Sequence, residues 1–144
     1  MFRNLSISLT MKAFISGPIQ GVEAEQSYRD VIREICIRHG YEPVDPWLRE
    51  KIIYRGTEPD WWIKVPAADF VRRDLEDIEK CDILIAYLPK LSAGTCMELF
   101  YAKLKNKKVI TISQMNDLSP WIVVNSDMIL KNVEELKDAL KRIL

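Results

Sequence analysis

Between Asp82 and Pro89 the chain reads ILIAYL, an apolar run that no charge interrupts. A run of this kind needs cover on both faces, which makes it a central strand of a parallel sheet packed between helices. It empties into SAGTCMEL, a small-residue turn that opens a helix carrying Glu98. Helix starts offer unpaired backbone N–H groups and a positive dipole end. The spacing therefore predicts that Glu98, in the first turn or so, is held ionised and aimed at the mouth of the sheet. An ionised, positioned carboxylate can act as a nucleophile. An ordinary charge favoured near a helix start fits the same pattern.

The rest of the chain alternates short apolar runs with helical ones, the pattern of a doubly wound α/β domain. Lys12 to Ser16 reads as the first strand, followed by the turn Gly17-Pro18-Ile19-Gln20-Gly21. Residues Glu25 to His39 place Tyr28, Val31, Ile32, Ile35 and Cys36 at helical spacing, and Gly40 ends that helix. Tyr41 to Val44 is a short second strand. From Asp45 to Val65 the periodicity dissolves, and a structureless insert of that length reads as a functional loop or lid. Its aromatics Trp47, Tyr54, Trp61 and Trp62 suit stacking on a planar heterocycle, or else closing the core. Ala67 to Lys80 is helical again, Ile83 to Leu88 is the third strand, and the Glu98 helix spans about Thr95 to Lys105. Val109 to Ile112 is the fourth strand and Met128 to Leu130 the fifth, before a closing helix over Val133 to Ile143.

Composition narrows the function. The 144 residues, 48% of them hydrophobic, suit one domain over 1–144 with a single core; residues 1–11 read as an extension without a function of their own. Lysine plus arginine equals aspartate plus glutamate at 21 each, so no long-range field recruits a nucleic acid polymer or an anionic membrane. The expected partner is a small molecule. Cys36, Cys81 and Cys96 show neither CxxC pairing nor metal-like spacing to His39, which suits a reducing cytoplasm and calls for no metal or cofactor. No apolar stretch approaches the roughly 20 residues that span a bilayer.

Five strands with intervening helices imply a flavodoxin-like parallel sheet of order 2-1-3-4-5, with helices on both faces and a ligand crevice where strands one and three part. The Gly17 to Gly21 and Ser92 to Thr95 turns would face that crevice and offer backbone N–H groups to an anion. Neither is a GxGxxG or P-loop motif, and glycines that merely make tight turns remain the alternative. The helical stretch RRDLEDIEKCD adds Asp74 and Asp77 about one turn apart, while Asp82 falls at the far end of the third strand.

Taken in order, FISGPIQG, DLEDIEKCDILIAYL, SAGTCMEL and FYAKLKNKKVITI resemble the nucleoside 2-deoxyribosyltransferase superfamily, including the 2′-deoxynucleoside 5′-monophosphate N-hydrolases. The resemblance covers Lys12 to Ile112 and is strongest between Asp74 and Lys108. It implies that Glu98 attacks the anomeric carbon of a nucleoside or its 5′-monophosphate, displaces the base and forms a glycosyl ester released to water or to another base. It implies that Asp74 positions or protonates the base. Gly17, Ile19, Gln20, Gly21, Ser92 and Gly94 become substrate-binding candidates, and Ser119 a phosphate contact supplied by a second subunit. At least a homodimer follows from the last point. Transferases of free nucleosides carry aspartate where this chain has Ser92, as the monophosphate hydrolases do. Against a monophosphate, Gln20 stands where those hydrolases commonly have arginine, and the DPW to WW insert departs from their pattern. A non-catalytic nucleotide-binding or sensing module, or a flavin carrier, would share the architecture.

Overall fold

The computed structural model describes residues 10–54 and 66–144, with the side chains of 51–54 excepted. In chain order the elements are β1 (Met11–Ser16), α1 (Tyr28–Arg38), β2 (Tyr41–Val44), α2 (Pro46–Tyr54) and α3 (Ala67–Glu79). There follow β3 (Ile83–Tyr87), α4 (Ala93–Leu104), β4 (Lys108–Ile112), α5 (Pro120–Val124) and β5 (Met128–Leu130). A 3-10 turn (Val133–Glu135) leads into α6 (Leu136–Arg142).

The sheet has the order β2-β1-β3-β4-β5, with every pair parallel. Two-residue periodicity divides the core. Ala13, Ile15, Ile83, Ile85, Ile110 and Ile112 face α1 and α6, while Phe14, Leu84, Ala86 and Val109 face α3, α4 and α5. Because β3 lies between β1 and β4 with both faces covered, its ILIA stretch is fully buried. Asp82, at the entrance of β3, accepts the amide of Lys12 at 2.8 Å, which gives it a structural task far from the strand's exit.

In the segment from Asp45 to Val65, expected as a functional loop or lid with short helical turns of its own, Pro46–Tyr54 is a helix of 9 residues. Asp45 Oδ1 accepts the amide of Trp47 at 3.1 Å, and Pro46 supplies the fixed φ favoured at a helix start. Trp47 is buried, so it closes the core and does not stack in a mobile loop. Trp61, Trp62 and the Tyr54 side chain, expected in the same lid, lie outside the described residues, as does most of the 1–11 extension. The three cysteines are unpaired, two of them buried. Among the described residues no helix is long and apolar enough to cross a membrane.

Candidate active site

Strands β1 and β3 exit side by side, Ser16 being in register with Ala86, and their connections leave on opposite faces of the sheet. A cavity of about 970 Å³ opens beyond these strand ends. Gly17, Ile19, Gln20, Asp74, Ser92, Gly94, Glu98 and Ser119 all border it, so eight of the nine expected site residues are brought together. Gly21 is the exception. It lies outside the cavity wall, and its φ of +83° shows that it serves the backbone conformation of the turn.

Helix α1 holds the Gly17 loop. Arg29, 1% exposed, donates to the carbonyls of Ile15 at 3.2 Å and Gly17 at 3.0 Å, and to Asp45 at 2.9 Å. Gln26 donates to the carbonyls of Pro18 at 2.9 Å and Val22 at 2.8 Å. Gly17 is required sterically, since a Cβ there would stand 2.1 Å from Tyr28 Oη, and the Tyr28 ring is stacked on Tyr87 at 4.2 Å.

Helix α4 begins earlier than its spacing suggested. Ser92 is the N-cap, its Oγ facing the amide of Thr95 at 3.4 Å, and Ala93 opens the helix. Glu98 therefore sits in the second turn, beyond the strongest reach of the dipole. The expectation that the helix start holds it ionised is overturned: burial above all, then the charge of Asp74, pushes its carboxyl up to about 8. The hydroxyl of Ser16 donates to Glu98 Oε1 at 2.5 Å, and with Arg29 it opposes that rise.

Three carboxyls meet at this wall. Asp74 is within hydrogen-bonding reach of both Glu98 and Glu50, and Arg49 clamps Asp74 at 3.0 Å and Asp77 at 2.8 Å. Burial pushes Asp74 up to about 6 against the pull of Arg49. Burial, then the charges of Asp74 and Glu98, push Glu50 up to about 8. The resting site thus retains protons at neutral pH. Among the described residues no group of three or more His, Cys, Asp or Glu side chains is arranged to hold a metal ion.

Sequence reasoning missed Ser16, Glu50 and Lys90 as wall or contact residues. Glu50 had a readable signal. Asp45-Pro46 is a helix-start pair, and Trp47 and Glu50, three apart, share the inward face of the helix that it opens. Thr95 is buried, and its hydroxyl has no partner among the described residues.

A parallel sheet of this order, with a carboxyl-lined crevice at its switch point, defines a flavodoxin-like α/β protein with room for a small molecule. The chain belongs to the nucleoside 2-deoxyribosyltransferase family, whose sequence profile matches residues 13–138. Nucleoside substrates are the class that this family supports. The fold is similar to that of a 2-deoxyribosyltransferase from Bacillus psychrosaccharolyticus, at TM-score 0.69 and 15% identity over 88% of this chain and 90% of that one. It is similar to a conserved protein from Enterococcus faecalis V583, at TM-score 0.72 and 17% identity over 94% and 99%. It also resembles the CMP N-glycosidase BcmB of Clostridium botulinum, at TM-score 0.57 and 18% identity over 90% and 98%. No curated protein sequence matches the chain.

Proposed function

We propose that this protein cleaves the N-glycosidic bond of a (2′-deoxy)nucleoside 5′-monophosphate through a glycosyl ester on Glu98. The observation that carries this reading is the pairing of Glu98 with Asp74 in the cavity wall, in a chain of this family. The proton that keeps Glu98 neutral at rest is the one that the base needs. Passed to Asp74 along their hydrogen bond, it leaves Glu98 an anion and Asp74 an acid in one step. Glu98 then bonds to C1′ as the C–N bond breaks with its electron pair on the base nitrogen, which takes the proton from Asp74. Water, or a second base, attacks C1′ and returns the ester's bonding pair to Glu98; the attacking group's proton restores the resting site. Ser92, the unpartnered hydroxyl of Thr95 and nearby Lys90 border the start of α4, where helix amides favour an anion, and this supports a 5′-phosphate.

Incubation of the chain with a deoxynucleoside and with its monophosphate, each with and without adenine, tests the reading by chromatography. Faster base release from the monophosphate is expected, and base exchange with adenine identifies the acceptor. Glu98→Gln should lose release while keeping its far-ultraviolet dichroism; undiminished turnover overturns the mechanism, and tight binding with no turnover leaves a binding module.

We infer also that a second copy of the chain covers the open side of the cavity. Met97, Phe100 and Leu104 form a stripe along α4, and Met97 is 72% and neighbouring Trp121 76% exposed. Exposed apolar surface continuous with a carboxyl-bearing cavity marks an interaction site, and covering it would exclude water from the ester. Trp121→Glu should convert a dimer to a monomer in light scattering, and a monomeric parent chain refutes the inference.

A further inference from the structure

Glu50 reaches the carboxyl cluster from α2, the helix that the sequence pattern concealed. It is 2% exposed and borders the cavity, and its Oε1 has no hydrogen-bond partner among the described residues. Its contact is the carboxyl of Asp74. An ionised carboxylate only accepts hydrogen bonds, so one of these two groups must carry a proton. Arg49 decides which. Its Nη2 lies 3.0 Å from Asp74 and its Nη1 2.8 Å from Asp77, so the guanidinium compensates the charges of those two carboxylates first.

We propose that Glu50 works as a neutral carboxylic acid, a positioning residue that donates a hydrogen bond to Asp74. The inference rests on the glycosidic-bond reading above. It goes further in assigning a third carboxyl, whose task is to stabilise the Asp74 carboxylate that forms as the proton leaves for the base. That donation makes Asp74 the stronger acid, and it turns Asp74 so that one oxygen is left for the substrate side. Glu50 neither gains nor loses a proton in the cycle.

The charged groups around Glu50 agree with this assignment. Arg49 stands on its own helix, Asp74 and Asp77 on α3, and Glu98 on α4 with Arg29 behind it. Burial first, then the charges of Asp74 and Glu98, push Glu50 toward its protonated form against the pull of Arg49.

Glutamine has the shape of a neutral glutamic acid, a donor on one arm and an acceptor on the other, and this separates the proposal from its rivals. Base release by the parent chain, Glu50→Gln and Glu50→Leu is compared from pH 5 to pH 9, using a nucleoside monophosphate and a 4-nitrophenyl 2-deoxyribosyl phosphate whose leaving group needs no proton. Glu50→Gln should keep kcat within about 3-fold of the parent at pH 6; above pH 8 both decline as the Glu98 proton is lost, and the parent declines more steeply because Glu50 ionises as well. Glu50→Leu should lose on the order of 10²-fold with the ordinary base and little with nitrophenol. If Glu50→Gln falls as far as Glu50→Leu, Glu50 acts as an anion and the proposal is overturned. Full activity in Glu50→Leu, or equal losses on both substrates, overturns it too, the latter by reducing Glu50 to a structural part. A parent chain inert on every substrate, or active after Glu98→Gln, fails the glycosidic reading itself and is recognised without the Glu50 variants.

Discussion

Ser16, the last residue of β1, donates its hydroxyl to Glu98, in the second turn of α4, across 2.5 Å. That contact ties the two chain segments that part at the switch point of the sheet. It also supplies the polar partner that favours the ionised form of a carboxyl otherwise surrounded by burial and negative charge.

Removing this donor should make Glu98 harder to ionise. Ser16→Ala is expected to shift the alkaline limb of the kcat–pH profile, set by loss of the Glu98 proton, upward by about one pH unit, since a hydrogen bond to a charged group contributes about 1.5–3 kcal/mol. At neutral pH kcat should fall, because Glu98 passes its proton to Asp74 less readily. An unshifted profile would show that the hydroxyl does not tune the nucleophile.

Protonation of Glu98 also couples to stability. Its pKa rises from 4.5 unfolded to about 8 folded, so between those values the folded chain holds a proton that the unfolded chain has lost. Stability from this group is present below about pH 4.5 and falls as pH climbs to about 8. Glu98→Gln, which cannot ionise, should match the parent's Tm at pH 5 and exceed it at pH 8, by on the order of 3 °C for each kcal/mol relieved. Equal Tm differences at the two pH values would refute this linkage.

The pair Arg29 and Asp45 is almost fully buried, with Arg33 also on Asp45 at 2.7 Å. Stranding a buried charge costs about 3–5 kcal/mol, and Arg33 remaining on Asp45 should hold the loss below that. Arg29→Met should lower the urea midpoint accordingly. It should also raise KM, because the carbonyls of Ile15 and Gly17 lose their anchor.

Gly17→Ala should cost about 1–3 kcal/mol, because the new methyl meets Tyr28 Oη and the ring is held against Tyr87. In the double variant with Tyr28→Leu most of that cost should vanish. A double-mutant cycle that came out additive would mean that the clash is relieved elsewhere.

Ser92→Asp probes the phosphate assignment without removing the helix cap, since aspartate caps as well as serine does. Turnover of the monophosphate should fall by about 10-fold or more through charge repulsion, with the free nucleoside little affected. Equal effects on both substrates would place the phosphate elsewhere.

Strand identity, sheet order and the place of Glu98 at the crevice were legible because each depends on local periodicity followed by one topological rule, whereas Asp74 entered only through the family resemblance. The run ILIAYL can be stable only at the centre of a covered parallel sheet, and the crevice follows from where its neighbours leave. Helix α2 was legible in principle from Asp45-Pro46, but its apolar face is interrupted by Glu50 itself, so the functional residue erased the periodic signal that would have revealed it.

The sequence alone determined the α/β architecture and the place of Glu98 after the central strand, since these rest on which residues are apolar and how they are spaced; its motifs carried the family resemblance, which added Asp74. Only the tertiary structure decided their protonation. The dipole argument from the helix start pointed to an ionised Glu98, whereas folding brings Asp74 and Glu50 beside it and removes water. Desolvation and the repulsion of like charges depend on distances between segments far apart in the chain, and no local pattern encodes those distances.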